Sequence, residues 1–412
     1  MLSVKDAEAI ILNLVQPLNE QRDTEIVDLW AASDRILAKP VTSSLDFPHW
    51  DNSAMDGYAV RYEDVQHSNS AQPAVLEIVE EIPAGYQPQS TIQPGQAARI
   101  FTGAVMPTGA DTVIMQEKTR QEENRVLILD APKPQQFVRH KAAFCQAGTQ
   151  LLPAGIKLNA QNIAVLAAAQ CPQLSVYRRP RVAIFSTGDE LVTAEQPLQL
   201  GQIVDSNQYA LATLVKKSGA EPLLLGIVKD DPVVLQEVIA YAIANADIVI
   251  SSGGVSVGDY DYVDKILESL EAKIYIRAVA MKPGKPLTVA NFPTRNSVLY
   301  FGLPGNPASA LVTFWRFVQP SIKKLSGLAQ GGELKFLRVR SHDELRSNGK
   351  FETYIWGCLH LIDGVYEFYQ ASGSHSSGNL INLAQTNALA VLPVGKVLIS
   401  PGEEVLVFDI LL

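Results

Sequence analysis

The sequence predicts a multidomain α/β protein whose central domain carries a parallel or mixed sheet. Residues 179–327 alternate short apolar runs with amphipathic stretches, which is the pattern of strands and helices in an α/β domain. Residues 51–137 and 328–412 contain short strands separated by turn residues, which predicts two mostly-β domains, the last one small. Helix-like segments occur on both sides of the first β region. We therefore expect residues 1–50 and 138–178 to form one helical domain into which residues 51–137 are inserted.

Length and composition narrow the class of protein. A chain of 412 residues with 47% hydrophobic and 19% charged residues is globular and too long for one domain. No apolar run approaches the roughly 18 residues of a membrane span, and the N-terminus lacks a basic segment with a cleavage site. Three cysteines without metal-ligand spacing indicate a reducing cytoplasm. The net charge of −9, with no basic block, argues against nucleic acid as a partner.

The individual elements follow from apolar spacing and turn residues. The N-terminal region predicts an amphipathic helix around Ile10–Val15, a second helix over Ile26–Ala38, helix-like material over Gln146–Gln170 and a linker at Tyr177–Pro180. The inserted region predicts four strands: Ala74–Ile82, Ala97–Phe101, Asp111–Gln116 and Arg125–Leu129. The α/β region predicts strands Val182–Phe185, Pro222–Val228, Ile248–Ile250 and Val298–Phe301, and helices Tyr209–Lys217, Pro232–Asn245, Tyr262–Leu270 and Ala308–Phe317.

Three glycine loops follow strands of this α/β region. The longest comes after Ile250 and contains Ser251, Gly253, Gly254, Ser256 and Gly258. The others are the loop at Gly188, with Asp189 and Glu190, and the loop containing Gly305, Asn306 and Ser309. Ligands of such sheets sit outside the carboxyl ends of the strands, where glycines and helix N-termini expose backbone N–H groups to an anion. Three such loops favour a shared anion pocket over ordinary glycine-rich turns.

Charged residues around these loops extend the prediction. Lys282 and Lys285 lie on a proline-stiffened turn and suit a phosphate or oxyanion, although a solvated basic turn is the simpler alternative. Six acidic residues occur on strand ends or in the loops that follow: Asp189, Glu190, Asp230, Asp231, Asp259 and Asp261. They could hold a divalent ion such as Mg²⁺. For Asp231, before Pro232, an N-cap role is equally favoured. The six histidines make no spaced pair that would indicate zinc.

Six ordered motifs carry a resemblance that covers nearly the whole chain: DNSAMDGYAV, ARIFTGAVMPTGAD, IFSTGDEL, ISSGGVSVGDYDY, KPGKP and GLPGNPAS. The chain resembles the molybdopterin molybdenumtransferase family, MoeA and the gephyrin E domain. The resemblance implies a Mg²⁺-dependent transferase that inserts molybdate into adenylylated molybdopterin and releases AMP. It also implies a homodimer in which the helical domain dimerises and the cleft forms between subunits. Contact with the molybdopterin adenylyltransferase is a further possibility.

The same resemblance implies roles for single residues. Asp56 and Thr102 would reach the cleft from the inserted domain, and Glu190 and Asp230 would line the pocket. Asp259 and Asp261 would lie at the metal and the pyrophosphate. Asp56, Glu190, Asp230, Asp261, Lys282 and Lys285 form the expected catalytic set, with the two lysines holding phosphate or molybdate. The remaining substrate-binding residues would be the serines and glycines of the longest loop, Gly305, Asn306 and Ser309 at the pterin and phosphate, and Ser377 at the far wall.

Several positions depart from the family pattern. An acidic pair is replaced in the stretch that ends at Phe144, a basic residue is replaced by Ala278 beside Arg277, and an arginine is replaced by Trp356. The family's Gln-Gly-Ser becomes His375-Ser376-Ser377. These changes keep open an alternative function, a pterin-binding or cofactor-assembly paralogue with altered catalysis. A generic nucleotide hydrolase is disfavoured because the sequence contains no P-loop motif.

Overall fold

The computed structural model describes residues 1–253, 260–293, 297–330, 334–373 and 378–410. Within them the chain divides into two units. Unit 1 contains Met1–Lys39, Ala154–Ile163 and Pro172–Leu412, and unit 2 contains Pro40–Pro153 and Ala164–Cys171. In this described part of the chain, no helix is long and apolar enough to cross a membrane. The four domain boundaries expected from the sequence stay a prediction.

A six-stranded mixed sheet forms the centre of unit 1. Its spatial order is Glu221–Val228, Arg181–Thr187, Ile248–Ser252, Val298–Leu303, Pro286–Phe292 and Lys273–Ala278. The first four strands are parallel, and the last two are antiparallel to their neighbours. The predicted sheet is therefore confirmed and is of the mixed kind. The two antiparallel strands were not predicted.

Helices cover both faces of this sheet. They are Asn207–Lys217, Pro232–Asn245, Tyr260–Ser269, Pro307–Thr313 and Gln319–Leu325, with a π-helical turn at Phe314–Val318 between the last two. Side chains alternate along each strand, so Ile184 and Ile250 enter one core while Phe185 and Val249 enter the other. Asp231 caps the second helix through its Oδ1, which accepts hydrogen bonds from Val233 N and Val234 N at 2.8 and 3.1 Å. The predicted N-cap is thus confirmed.

The N-terminal region contains less helix than expected. The helix Val4–Leu14 exists and buries Val4, Ala7 and Ile11 in the first of these cores. The predicted helix over Ile26–Ala38 is wrong. Thr24–Asp28 is instead a strand paired antiparallel with Gln173–Tyr177, followed by a 3₁₀ turn at Leu29–Ala31.

Two local features explain that correction. Ile26 and Val27 are β-branched and suit a strand, and Asp34 has a φ of 63°, which no α-helix accommodates. The strand's partner lies far along the chain, so local periodicity could not reveal it. After residue 138, the described helix is Ala160–Ala168, and Gln150–Leu152 is a strand paired with Val41–Thr42. A mainly helical domain from residues 1–50 and 138–178 is therefore not what the chain forms.

Unit 2 is built on a second six-stranded sheet. Its order is Thr112–Met115, Gly57–Val60, Gln96–Ile100, Asn69–Ile82, Arg125–Asp130 and Thr119–Glu122. The one parallel pair joins Gln96–Ile100 to Asn69–Ile82. All four strands predicted for this region are present. A one-turn helix occurs at Tyr62–Val65, and the short strands Asn52–Ser53 and Val138–Arg139 pair with each other.

The C-terminal region of unit 1 is a small β domain, as expected. Its strands are Met281–Lys282, Glu352–Ile362, Val365–Gln370, Phe336–Ser341, Glu404–Asp409 and Ala388–Leu392. Pairing of the last strand back onto Glu352–Ile362 closes five of them into a ring around an apolar core. Short strand pairs also occur at Leu345–Arg346 with Leu398–Ile399, and at Leu191–Val192 with Ile203–Val204. The lysine-bearing strand Met281–Lys282 joins the outside of the ring through Glu352–Thr353.

Candidate functional site

The three glycine loops meet at the carboxyl edge of the unit 1 sheet. Gly253 N donates a hydrogen bond to Leu303 O at 3.3 Å. This bond joins the second loop to the end of the strand Val298–Leu303, which precedes the third loop. Gly253 has a φ of 94°, and a Cβ built on it would lie 2.3 Å from Thr187 O. A Cβ on Gly305 would lie 3.5 Å from Gly253 Cα. At Gly253 only glycine permits the approach, whereas the Gly305 contact is an ordinary van der Waals distance. The described parts of the three loops therefore converge as the sequence predicted.

Asn207 ties two of these loops together, and sequence reasoning missed it. Its Nδ2 donates to Ser252 Oγ and to Gly305 O, both at 2.7 Å. The residue is 7% exposed, and its Oδ1 has no hydrogen-bond partner among the described residues. The only available signal was its place two residues before the predicted helix Tyr209–Lys217, directly after Asp205 and Ser206. Asn207 therefore gives the loop edge a fixed donor and one open acceptor.

The acidic residues of the first loop lie beside those that follow the neighbouring strand. Thr187 Oγ1 donates a short hydrogen bond to Asp230 Oδ1. Asp230 N donates to Asp189 Oδ1 at 3.4 Å. The Glu190 carboxylate lies over Gly188, because a Cβ built there would be 2.7 Å from Glu190 Oε2. Asp189, Glu190 and Asp230 are exposed, so this edge presents carboxylate oxygens to solvent.

A cavity of about 860 Å³ in unit 1 brings together two motifs that are separate in sequence. Lys282 and Lys285 line it from the proline turn, and Asn306 and Ser309 line it from the third glycine loop. The turn packs tightly, since a Cβ on Gly284 would lie 2.7 Å from Thr313 Oγ1. The cavity therefore combines two cations with an amide and a hydroxyl residue, which suits an oxyanion.

Asp56 and Thr102 form a local pair in unit 2. Asp56 Oδ1 accepts hydrogen bonds from Thr102 N at 2.7 Å and from Thr102 Oγ1 at 2.8 Å. These bonds, the backbone one first, hold the pKa of the Asp56 carboxyl below its ordinary value, with a smaller contribution from Arg99. Asp56 is therefore an ionised, exposed carboxylate held in one position by a neighbouring turn.

Ser251 faces away from the loop edge. Its Oγ shares a 2.6 Å hydrogen bond with the hydroxyl of Tyr300, and both residues are buried. Burial raises the pKa of Tyr300 to about 12, against the opposing effect of that hydrogen bond. Along the same strand it is Ser252 that turns toward Asn207. The substrate-binding role of Ser251 stays a prediction.

Several predicted site residues lie outside the described part of the chain. They are Gly254, Ser256, Gly258, Asp259 and Ser377, together with the side chain of Asp261, whose backbone belongs to the helix Tyr260–Ser269. Among the described residues, no group of three His, Cys, Asp or Glu side chains is placed to hold a metal ion. The described residues alone therefore do not make a Mg²⁺ site.

Three family models match successive parts of the chain. They are described as the MoeA N-terminal region (domain I and II) over residues 2–169, a probable molybdopterin binding domain over 183–324, and the MoeA C-terminal region (domain IV) over 338–410. The converging glycine loops and the lysine turn fall within the second of these ranges.

The chain belongs to the MoeA family.

Individual MoeA relatives match over nearly their whole length. A molybdopterin molybdenumtransferase of Nostoc sp. is 74% identical over 410 residues, covering 100% of this chain and 94% of the relative. One of Haemophilus influenzae is 38% identical over 407 residues, covering 98% of each chain. The crystal structure of the molybdopterin biosynthesis moeA protein from Pyrococcus horikoshii OT3 matches with a TM-score of 0.84 and 28% identity, over 99% of this chain and 100% of that one.

Two departures from the MoeA pattern now have a structural setting in unit 1. Trp356 lines the cavity, is 8% exposed and packs edge-on against Trp315 with ring centroids 5.4 Å apart. Arg346 lines the same cavity and pairs with Glu344 at 2.5 Å. Arg277, beside Ala278, instead pairs with Asp264 at 2.6 Å and is not among the residues that line the cavity. A basic residue on this wall therefore comes from Arg346 rather than Arg277.

Proposed function

We propose that this chain is a molybdopterin molybdenumtransferase. It inserts molybdate into adenylylated molybdopterin and releases AMP, giving Mo-molybdopterin in molybdenum-cofactor biosynthesis. Full-length similarity to relatives that carry this name supports the proposal. The observation that carries it is the cavity where Lys282 and Lys285 face Asn306 and Ser309 of the third glycine loop.

Phosphate binding is assigned to the loop edge. Gly253 and Gly305 bring two of the loops close together at the sheet edge, and glycine-rich backbone before a helix binds phosphate without a side chain. Asn207 holds the second and third loops in register. These contacts set the positions of Ser252 and Gly305 before the substrate arrives, so binding does not have to order those two residues.

Oxyanion binding is assigned to the lysine turn. Two ammonium groups on one stiff turn attract a dianion such as molybdate, and each acts as a point charge. The strand Met281–Lys282 fixes the start of the turn on the C-terminal ring. Orientation of the oxyanion beside the dithiolene sulfurs then contributes most of the rate, since bringing reactants together removes much of the entropic barrier.

Four carboxylates complete the catalytic set in this proposal. Glu190 and Asp230 lie beside the first glycine loop, and Asp56 is positioned by Thr102. Asp261 is the second residue of the helix Tyr260–Ser269, which follows the longest loop. Carboxylate oxygens at these positions can orient the pterin's amino groups or water, while the lysines bind the anionic groups.

We propose that Asp259 and Asp261 hold a Mg²⁺ ion. Carboxylate oxygens are the ligands that Mg²⁺ prefers, and when bound the ion offsets the charge of the phosphates. Removing the ion with EDTA should abolish AMP release, and added Mg²⁺ should restore it. AMP release that is unchanged in EDTA would contradict the assignment.

The direct test is AMP release from adenylylated molybdopterin by the purified chain, with and without molybdate. We expect AMP to appear together with Mo-molybdopterin and to require molybdate and Mg²⁺. The altered paralogue, favoured by Trp356 in place of the family's arginine, predicts binding of molybdopterin without AMP release. That result would replace the transferase proposal.

The proposal extends to the compartment, the oligomeric state and the partner protein of the reaction. We infer a cytoplasmic homodimer that receives its substrate from the molybdopterin adenylyltransferase. The family resemblance supports the dimer and the transfer of substrate, and the cysteine usage supports the compartment. A pull-down of the adenylyltransferase by the full chain, compared with a chain blocked by excess substrate, tests the contact.

A further inference from the structure

The lysine turn is held at its two ends by different parts of unit 1. At one end, Lys285 precedes the strand Pro286–Phe292, which pairs with Val298–Leu303 in the central sheet. At the other end, Lys282 lies on the short strand attached to the C-terminal ring, in register with Thr353. The separation of the two lysines therefore depends on how the C-terminal ring is held against the rest of unit 1.

The attachment of Lys282 to the ring is short. Met281 and Lys282 pair with Glu352 and Thr353, and Glu352 N donates one further hydrogen bond to Ala280 O at 3.1 Å. So short a pairing is marginal by itself. A fixed position of Lys282 therefore requires that Glu352 be held by other contacts.

A hydrogen bond from a buried tyrosine holds Glu352. The Tyr354 hydroxyl donates a short hydrogen bond to Glu352 Oε1. The two side chains share one face of the strand because they are two residues apart. Tyr354 is 3% exposed. Burial and the Glu352 carboxylate raise the pKa of the Tyr354 hydroxyl, with the Arg316 guanidinium acting against them, so the hydroxyl stays a neutral donor.

Arg316, the cation beside Tyr354, is itself anchored. It lies in the π-helical turn Phe314–Val318 and is 7% exposed. Its Nη1 and Nη2 donate to the two carboxylate oxygens of Glu8 at 2.7 and 2.8 Å. Its guanidinium also lies 6.0 Å from the centre of the aromatic ring of Phe336, on another strand of the C-terminal ring. These contacts join the first helix, the π-helical turn and the C-terminal ring.

Stability alone does not account for a buried arginine at this place. Burying a guanidinium and a carboxylate costs desolvation that their pairing often does not recover, and apolar side chains of similar volume are often at least as stabilising. A bidentate arginine–carboxylate pair fixes orientation as well as distance. π-helical turns also occur frequently at functional sites. The contacts of Arg316 therefore suit a positioning role.

We propose that Arg316 and Tyr354 are positioning residues that hold Lys282 at a set distance from Lys285, and that this distance lets the cavity select molybdate over sulfate. Both anions are tetrahedral dianions, so charge alone cannot distinguish them, whereas two cations at a set spacing can. Arg316 is not among the residues that line the cavity, so it acts through Tyr354 and Glu352. The inference rests on the proposed function, in which the oxyanion is molybdate.

The first experiment measures binding of sodium molybdate and of sodium sulfate to the full chain by isothermal titration calorimetry. Tyr354→Phe removes the hydroxyl and keeps the ring. It should raise the Kd for molybdate about fivefold and the Kd for sulfate less than about twofold, because only the larger anion depends on the set spacing. Arg316→Lys keeps the charge but loses the bidentate pair, and should act in the same direction. A general loosening of the fold would weaken both anions alike.

Tyr369→Phe is the matched control. The Tyr369 hydroxyl donates to Glu367 Oε2 at 3.1 Å, so it repeats the tyrosine–glutamate bond on a neighbouring strand of the C-terminal ring. Tyr369 is not among the residues that line the cavity. Its replacement should leave both Kd values unchanged.

The second experiment asks whether Tyr354 acts through Lys282. On a Lys282→Met background, Tyr354→Phe should change the Kd for molybdate less than about twofold, because the group that it positions is gone. A full fivefold effect on that background would show that Tyr354 acts by another route and would overturn the inference.

Three further results would overturn it: a wild-type chain that binds molybdate no more tightly than sulfate, a Tyr354→Phe variant with the wild-type preference, or an equal loss of preference in Tyr369→Phe. None of them depends on catalysis. Loss of preference in Tyr354→Phe, with no AMP release by the wild-type chain, would refute the transferase proposal and leave the positioning role assigned. AMP release by the wild type with an unchanged preference in Tyr354→Phe would do the reverse.

Discussion

At the scale of single residues, local hydrogen bonds hold the polar side chains of the candidate site in place more than the net charge of the chain does. Asp56 is fixed by the backbone N–H and hydroxyl of Thr102, while Asn207 is fixed by Ser252 and Gly305. Each of these polar groups has a defined direction before any ligand binds. Two residue-scale predictions follow from Asp56 and from Lys285.

The Asp56 carboxylate should stabilise the fold in a pH-dependent way. Its folded-state pKa is lowered, so its contribution is present above the unfolded pKa of about 3.9 and is lost as the pH falls through the folded value. Asp56→Asn should therefore melt below the wild type at pH 7, and the difference should close below about pH 4. Thermal melts across this range test it.

Thr102→Val provides the matched comparison for Asp56. It removes the hydroxyl donor but keeps the backbone N–H, which is the larger cause of the shift. Its effect should have the same sign and be smaller than that of Asp56→Asn. A melting difference for Asp56→Asn that does not shrink as the pH falls below about 4 would contradict this account.

Lys285 should contribute to binding of the oxyanion rather than to folding. Lys285→Met removes one cation from the cavity, and losing a charge-assisted hydrogen bond of about 1.5 kcal/mol corresponds to roughly a tenfold rise in the KM for molybdate. Lys5→Met, an exposed lysine on the first helix, is the control and should change nothing. Initial rates of AMP release, measured over a series of molybdate concentrations, give the KM of each variant. An unchanged KM in Lys285→Met would remove Lys285 from the site.

At the scale of elements, the loop edge depends on glycines whose neighbours leave no space. Gly253 has both a positive φ and a backbone oxygen where a Cβ would be, whereas Gly402 has a φ of 84° and open space. The two positions separate the cost of backbone conformation from the cost of a steric clash.

Gly253→Ala should therefore be much more damaging than Gly402→Ala. Gly402→Ala, the control, should lose only the about 1–2 kcal/mol of stability that an alanine in the left-handed conformation costs. Gly253→Ala must also move Thr187 or the loop itself, so we expect a larger loss of stability and at least about a tenfold fall in AMP release. Urea unfolding and the AMP assay on both variants test this. Equal losses of stability in the two variants would show that the backbone around Gly253 can accommodate a Cβ beside Thr187 O.

The segment expected to be a linker is an anchored element. Arg178 pairs with Asp247 at 2.8 Å and with Asp23 at 3.0 Å, and these partners raise the pKa of its guanidinium, Asp247 most. It thus joins three stretches of unit 1 that are far apart in sequence. Arg178 therefore fixes the position of the chain just before the strand Arg181–Thr187 of the central sheet.

Arg178→Leu should destabilise the fold by about 1–2 kcal/mol, a value reduced for partial exposure. Arg338→Leu, which breaks a single exposed pair with Glu404, should cost less than about 1 kcal/mol. Urea denaturation gives both free energies of unfolding. Similar values for the two variants would show that the Arg178 pairs are ordinary surface contacts.

At the scale of the whole molecule, we expect a homodimer. Exposed apolar residues in unit 1, such as Ile26 at 65% and Trp30 at 98%, are consistent with a covered surface. Light scattering coupled to size exclusion should give twice the mass of one chain across a hundredfold dilution. Trp30→Asp should shift the mass toward one chain, and Tyr86→Asp should not. A single-chain mass for the wild type would refute the dimer.

Much of the fold could be predicted because the signals were local. The continuous apolar, β-branched run Ile248–Ile250 and the Asp231-Pro232 cap each specify their element from a few adjacent residues. The strand Thr24–Asp28 could not be predicted, because its partner Gln173–Tyr177 is remote and its own residues allow either structure. The antiparallel strand Pro286–Phe292 could not be predicted, because it is buried on both faces and a short run without polar alternation does not distinguish a strand from a buried helix segment.

The site was predictable in part for the same reason. Glycine loops and the lysine turn are short motifs, and parallel topology brings the loops to one edge. The contribution of Arg346 depends on how the C-terminal ring closes, and that of Asn207 depends on helix placement against two loops. Neither can be inferred from spacing alone.

The strand Met281–Lys282 has a consequence for how selectivity can evolve. It fastens the lysine turn to the C-terminal ring, so one wall of the cavity can vary while the glycine loops stay constant. Under the proposed function, replacements on this wall such as Trp356 would alter which oxyanion is preferred and leave the glycine loops unchanged. Discrimination between molybdate and tungstate would be tuned in the ring, and recognition of the pterin would be inherited with the sheet.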